Sequence, residues 1–258
     1  MTRKKKSVFV FDADDTLWPL GWLYDEAYLI FWLYLNRIFP GRMPCLINVF
    51  KNYFETDLHQ SESTGVRSRR VADSMVAQYI HVCGYMSDVH GIRAYNPEHE
   101  AKIRKIAKRP FNFRRLKWFD DARRTLTVLK ENGHKLCLLS SYDAAIFPFK
   151  NDFLNIWEFF DRANVFQTEF KKTKEDFIRA SGWSKEREDD YVGWYTVGNG
   201  TSDMDPALEI SDRWRGFCIP HMTTSPFFKE ATSSLVSPDV NNPRVINLNN
   251  ISKILYQV

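Results

Sequence analysis

Cysteine is scarce in this chain. Among its 258 residues there are four: Cys45, Cys83, Cys137 and Cys218. They lie too far apart to read as a disulfide framework, and two of them fall in apolar runs with the look of core strands. Free, buried thiols and a reducing, cytoplasmic setting are the expectation. Long hydrophobic runs are lacking too. A bilayer takes about 20 apolar residues, whereas the most apolar run, Ala27 to Leu35, is bounded by Asp25, Glu26, Asn36 and Arg37. The basic start Arg3-Lys4-Lys5-Lys6 has no apolar stretch or small-residue cleavage site behind it, so it does not read as a secretory signal. No membrane partner is expected. Internal repeats and low-complexity tracts are absent, and His81, Cys83 and His90 match no common zinc spacing.

The composition is 44% hydrophobic and 26% charged, which reads as globular and folded. The length suffices for one full core plus an inserted subdomain. The net charge of +4 is modest, but it is unevenly spread: between Ala101 and Arg124, ten Lys and Arg stand against only Asp120 and Asp121. Such a run is most simply the solvated face of a helix and a loop. An anionic partner such as nucleic acid is the less favoured reading.

Short apolar runs recur with helical segments between them: Val8 to Phe11, Lys135 to Leu139, Ala163 to Phe166, Trp194 to Val197, Phe217 to Ile219 and Val245 to Leu248. This alternation predicts an α/β fold, a Rossmann-like parallel sheet covered by helices on both faces. Ligands would bind at the carboxyl ends of the strands. The alternation breaks between Trp18 and about Phe119, where helical patterns dominate: Tyr24 to Phe39, Val66 to Met86 and Pro97 to Arg109. In the second, Val71, Met75, Val76, Tyr79, Ile80 and Cys83 recur at helical spacing and call for a packed face. This predicts an inserted helical domain over 21–117 and a core over 1–20 and 118–258. A further helix, Asp121 to Asn132, should stop at Gly133.

The densest chemical signal is Val8-Phe-Val-Phe-Asp12-Ala-Asp14-Asp15-Thr16-Leu17-Trp18. Two carboxylates follow a buried strand one residue apart, an arrangement in which one serves as nucleophile and the other as acid and base. A calcium loop starting at Asp12 is excluded: it needs Gly at its sixth position and Glu at its twelfth, where Leu17 and Leu23 stand. The strand Lys135 to Leu139 ends in Ser140-Ser141, where a hydroxyl and an amide would hold a phosphoryl oxygen. Lys171, Lys172 and Lys174 lie just before a helix start, and Gly198-Asn199-Gly200-Thr201-Ser202-Asp203 follows another strand. A dinucleotide reading of Gly198-x-Gly200 fails, because Asp203 stands where the third glycine should be.

In that order, Asp-x-Asp-x-Thr, Ser, Lys and Gly-Asn-x-x-x-Asp resemble the four motifs of the haloacid dehalogenase (HAD) superfamily. The tail Cys218-Ile219-Pro220-His221 resembles its phosphatase-like branch. The position of the helical insertion matches that superfamily's C1 cap. The resemblance implies that Asp12 is the nucleophile, that Asp14 protonates the leaving oxygen and then activates water, and that Ser140 binds a transferring phosphoryl oxygen. Lys172 would keep Asp12 ionised. Thr16 and Ser141 would bind substrate. It implies Mg2+ held by Asp12, the Asp14 backbone carbonyl, and Asn199 or Asp203; Asn199 stands where many relatives carry Asp. Dehalogenating members lack an acid at the position of Asp14, so phosphate chemistry is favoured. The implied activity is a Mg2+-dependent phosphatase whose cap closes over a small phosphorylated substrate. A phosphotransferase or mutase, and a weakened homologue binding an anionic partner, are the alternatives.

Overall fold

The computed structural model describes residues 6–43, 46–65, 67–219 and 242–258. Expectations placed on Arg3 to Lys5, Cys45, Val66, Pro220 and His221 lie outside these residues. The chain forms two compact units, one of residues 6–19, 115–219 and 242–258, the other of residues 20–43, 46–65 and 67–114.

The first unit is built on six parallel strands: β1 (Val8–Phe11), β2 (Lys135–Ser141), β3 (Val165–Thr168), β4 (Trp194–Gly198), β5 (Trp214–Cys218) and β6 (Val245–Asn247), in the order β3-β2-β1-β4-β5-β6. All four residues of β1 are fully buried. A central parallel strand meets apolar neighbours on both faces, so it carries a continuous hydrophobic run rather than an alternating one. Val8 pairs with Lys135 on one side and Trp194 on the other.

Two strands start at residues other than those the sequence predicts, and the carboxyl ends of β2 to β6 differ by one or two residues. β3 begins at Val165 rather than Ala163, because Asn164 closes a tight turn by donating its amide to the Asp161 carbonyl (2.8 Å). β5 begins at Trp214, before Arg215 and Gly216 interrupt the apolar run; Trp214 pairs with Trp194, and both are fully buried.

Of the helices, α1 (Gly21–Ile38), α2 (Leu46–Thr64), α3 (Ser68–His90) and α4 (Pro97–Ile106) belong to the second unit. The first unit holds α5 (Asp120–Glu131), α6 (Phe147–Leu154), α7 (Lys174–Ser181) and α8 (Thr201–Leu208). In the second unit Phe31 of α1, Tyr53 of α2, Met75 and Tyr79 of α3 and Ile103 of α4 share one apolar core. Within the α3 stripe Ile80 is the exception to the predicted face, 52% exposed, because the buried set runs Val71, Met75, Tyr79, Val82 and Met86. α2 was not foreseen. Its segment is largely polar, but Val49 and Tyr53, four residues apart, are buried, and Asp57 is tied to Arg70 (3.1 Å) and Ser74 (3.0 Å).

α5 ends as its sequence predicts: Gly133 takes a left-handed backbone (φ +76°), a conformation open to glycine at little cost. Among the described residues no helix is long and apolar enough to cross a membrane. Cys83, Cys137 and Cys218 are free and buried, and burial pushes the Cys137 and Cys218 thiols up to about 12 and about 11.

Candidate active site

The strand order reverses at β1, since the chain runs outward through β2 and β3 on one side and through β4, β5 and β6 on the other. Ligands in open α/β sheets bind at the carboxyl ends of strands where such a reversal leaves a crevice. Asp12 is the residue that leaves β1 there. Its amide donates to the Val197 carbonyl (2.7 Å), so residues 12–14 emerge beside residues 198–199. Ser140 and Ser141 close β2, two and three residues past the Phe11–Leu138 pair; Ser140 is buried and Ser141 half-buried.

Beyond Asp12 the backbone turns sharply. Leu17 donates its amide to the Ala13 carbonyl (2.8 Å), Asp15 donates to Trp18 (2.8 Å), and Asp15 adopts φ 60°. Aspartate is among the few residues that tolerate this left-handed conformation. The turn returns Thr16 to the site, where its hydroxyl donates to Asp12 Oδ2 (2.9 Å).

Lys172 supplies the cation. It precedes α7, whose start is fixed by Thr173: the threonine hydroxyl accepts from the Asp176 amide (3.3 Å), and the Thr173 amide donates to the Asp176 carboxylate (3.0 Å). This reciprocal cap orients the residue just before it. Lys172 Nζ lies 2.5 Å from Asp12 Oδ1 and 2.5 Å from Asp203 Oδ1, and all three side chains are nearly inaccessible. Of Lys171, Lys172 and Lys174, it is Lys172 whose ammonium meets Asp12.

Asp203 reaches the site from α8. Its Oδ1 accepts from Lys172, while its Oδ2 accepts from the amides of Asn199 and Gly200, both at 3.2 Å. Both carboxylate oxygens are therefore engaged in holding the lysine and the loop. Asn199 is half-buried.

One ammonium between two buried carboxylates leaves a negative charge in excess. Burial pushes the Asp12 carboxyl up to about 7; Lys172 pulls against this, and Asp203 and Asp14 add to it. Burial disfavours the charge on Lys172, yet Asp12 and Asp203 outweigh it and hold the ammonium above the ordinary lysine value.

Asp14 is served by a different cation. Lys150 of α6, buried in the same unit, places Nζ 2.7 Å from both Asp14 oxygens, and the Trp18 indole donates to Oδ1 (2.7 Å). Nothing in the motif spacing points to Lys150. Its only sequence signal is a lone lysine within the aromatic run Phe147-Pro148-Phe149-Lys150.

Three carboxylates thus face two ammoniums, a charge balance that suits a divalent cation. Among the described residues no group of three or more His, Cys, Asp or Glu side chains forms a metal cage. Mg2+ needs none: it typically takes one or two carboxylates with water and phosphate oxygens. Asp12, the Asp14 carbonyl and the Asn199 amide would supply oxygen ligands of the kind such an ion takes.

Three arginines of the basic 101–124 segment are ion-paired. Arg104 meets Asp73 and Glu100 (2.9 and 3.0 Å), Arg109 meets Glu26 (3.1 Å), and Arg123 meets Glu158 (2.8 Å).

No family model matches the chain, and no curated protein matches it in sequence. Solved structures do match it. A haloacid dehalogenase-like family hydrolase from Xanthomonas campestris superposes with a TM-score of 0.69 at 16% identity, covering 96% of this chain and 92% of that one. The L-2-haloacid dehalogenase of Xanthobacter autotrophicus gives 0.60 at 13% identity over 97% and 96%. A predicted phosphoglycolate phosphatase from Haemophilus somnus 129pt gives 0.55 at 13% identity over 100% and 99%. At these identities the likeness is one of architecture, and the six-stranded sheet with its inserted helical unit has the haloacid dehalogenase fold.

Proposed function

We propose that this chain is a Mg2+-dependent phosphatase that hydrolyses a small phosphomonoester through an aspartyl-phosphate on Asp12. The observation that carries the reading is the division of labour between two aspartates: Asp12 is tied to Lys172 and Asp203, while Asp14 is held apart by Lys150 and Trp18. Two carboxylates in separate electrostatic settings suit a nucleophile and an acid and base.

Asp12 attacks phosphorus, and the ester P–O bond breaks with its electron pair passing to the leaving oxygen. Asp14 protonates that oxygen. Asp14 then takes a proton from water as the water oxygen bonds to phosphorus, and the P–O bond to Asp12 breaks to restore the carboxylate. Lys172 offsets negative charge on Asp12 and the transferring group, Thr16 orients Asp12, and Ser140 and Ser141 supply donors at the end of β2. Asp12, the Asp14 carbonyl and Asn199 would hold Mg2+, since both Asp203 oxygens have other partners. When bound, the ion supplies charge neutralisation to the phosphate and favours ionised Asp12.

The pairing of Arg104, Arg109 and Arg123 leaves those three guanidiniums engaged within the chain, in keeping with a solvated face. The free, buried cysteines fit a reducing, cytoplasmic setting.

Phosphate release from a panel of phosphomonoesters, with and without Mg2+, tests the reading, with halide release from 2-haloacids measured beside it. Magnesium-dependent phosphate release lost in Asp12→Asn is the expected result. Halide release without phosphate release would assign the dehalogenase chemistry instead, and transfer to an acceptor without free phosphate would make the protein a phosphotransferase.

A further inference from the structure

We propose that Lys150 is a positioning residue for Asp14, setting the orientation of the carboxylate that exchanges protons with the leaving oxygen and with water. The inference rests on the reading of Asp14 given above and assigns a role to a residue outside the motif pattern.

The geometry is specific. Lys150 comes from α6, remote in sequence from the β1 loop, yet its Nζ lies 2.7 Å from Oδ1 and 2.7 Å from Oδ2 of Asp14. Its side chain is only 3% exposed, while that of Asp14 is 21% exposed. A carboxylate that open on a turn would pass among its rotamers if nothing held it. The ammonium engaging both oxygens, with the Trp18 indole on Oδ1 (2.7 Å), leaves one orientation for the carboxylate plane. Lys150 is itself held in place: its Nζ lies 4.8 Å from the centre of the Tyr142 ring, a favourable cation–π distance, and Tyr142 directly follows Ser141 at the end of β2. The lysine therefore links the end of the phosphate-binding strand to the acid and base of the β1 loop. Lys172 cannot take over this task, because Asp12 and Asp203 engage it. Lys150 acts through Asp14, so its effect falls on the step that needs Asp14 aimed at the reacting oxygen. A displacement of about 1 Å in such a group costs on the order of a hundredfold in rate.

A double-mutant cycle tests this. Steady-state kinetics of phosphate release, with Mg2+ present, are compared for wild type, Lys150→Met, Asp14→Asn and the double variant, and each protein is checked by thermal melting. Lys150→Met is expected to lower kcat by about 30- to 100-fold with KM changed by less than about threefold. In the Asp14→Asn background the same substitution should cost nothing further, because the group it positions is already gone. Lys150→Arg, which keeps a two-pronged cationic donor, should return kcat to within about tenfold of wild type, and it carries the cycle if Lys150→Met does not fold. Losses that multiply in the double variant, or a rise in KM with kcat unchanged, overturn the inference while the phosphatase reading stands. Turnover that is absent in wild type, or indifferent to Asp14→Asn, removes the phosphatase reading and this inference together.

Discussion

Gly198 and Asp203 occupy one corner of the site: a Cβ on Gly198 would fall 2.4 Å from both Cβ and Oδ2 of Asp203. The missing side chain lets the loop after β4 fold back until the aspartate reaches the amides of Asn199 and Gly200. Gly198→Ala is therefore expected to cost about 1–3 kcal/mol by overpacking and to lower turnover by shifting Asp203 away from Lys172. Gly216→Ala meets the Met204 sulfur at 2.6 Å, the end of a side chain that can move. Urea unfolding of the two variants should rank Gly198→Ala as the more damaging, and the opposite ranking would contradict the close packing at Asp203.

Removing the Lys172 charge should be more severe. Lys172→Met leaves Asp12 and Asp203 facing each other in a buried site without their common cation. Breaking a buried pair in this way costs about 3–5 kcal/mol. The double variant Lys172→Met/Asp203→Asn should lose less than the two single losses combined, since the second change removes a charge that the first has stranded. Additive losses would mean that the two residues stabilise the fold independently.

The Asp12 carboxyl, raised to about 7, sets a pH dependence. The proposed nucleophile must be ionised, and its ionised fraction falls about tenfold for each pH unit below that value. At limiting Mg2+, kcat/KM should drop along an acid limb near pH 7, and saturating Mg2+ should move that limb to lower pH. For stability, the folded carboxyl binds its proton more tightly than the unfolded one, whose ordinary value is 3.8. Its stabilising contribution is complete below that value and is lost as the pH rises through about 7. A kcat/KM profile flat from pH 5 to 8 at limiting Mg2+ would contradict the shift.

Asn199→Asp adds a charged oxygen where the proposed ion binds, and more ligand charge tightens cation binding. The Mg2+ concentration for half-maximal phosphate release should fall, and Asn199→Ala should raise it. Titrating activity against Mg2+ measures both. Equal responses in wild type and Asn199→Asp would place the ion elsewhere.

The sheet was legible because each central strand is a short apolar run between polar turns, as in Val8 to Phe11 and Trp194 to Val197. Asp12 and Thr16 were legible because their motif fixes both spacing and strand context, whereas Lys171, Lys172 and Lys174 stood close together and only the fold shows that Lys172 meets Asp12. Lys150 was not: its partner lies far away in sequence, and a single lysine on an aromatic helix carries no periodic signal. The sequence shows an acid at Asp203 but not that both its oxygens are spent on Lys172 and two loop amides. α2 was missed because its buried side chains Val49 and Tyr53 are outnumbered by polar neighbours, and Ile80 was misjudged because helical spacing alone does not say where a buried stripe ends.

The central place of β1 has a consequence for biosynthesis. Val8 has no strand partner until Lys135 has been made, and no partner on its other side until Trp194 follows. Pairings so remote along the chain are slow to form and leave an apolar strand waiting. Asp12 emerges from the ribosome well before its lysine, and the anchor of that lysine, Asp203, comes later still. A nascent chain therefore carries Asp12 without its cation, and the site assembles only once the sheet has closed on both sides of it.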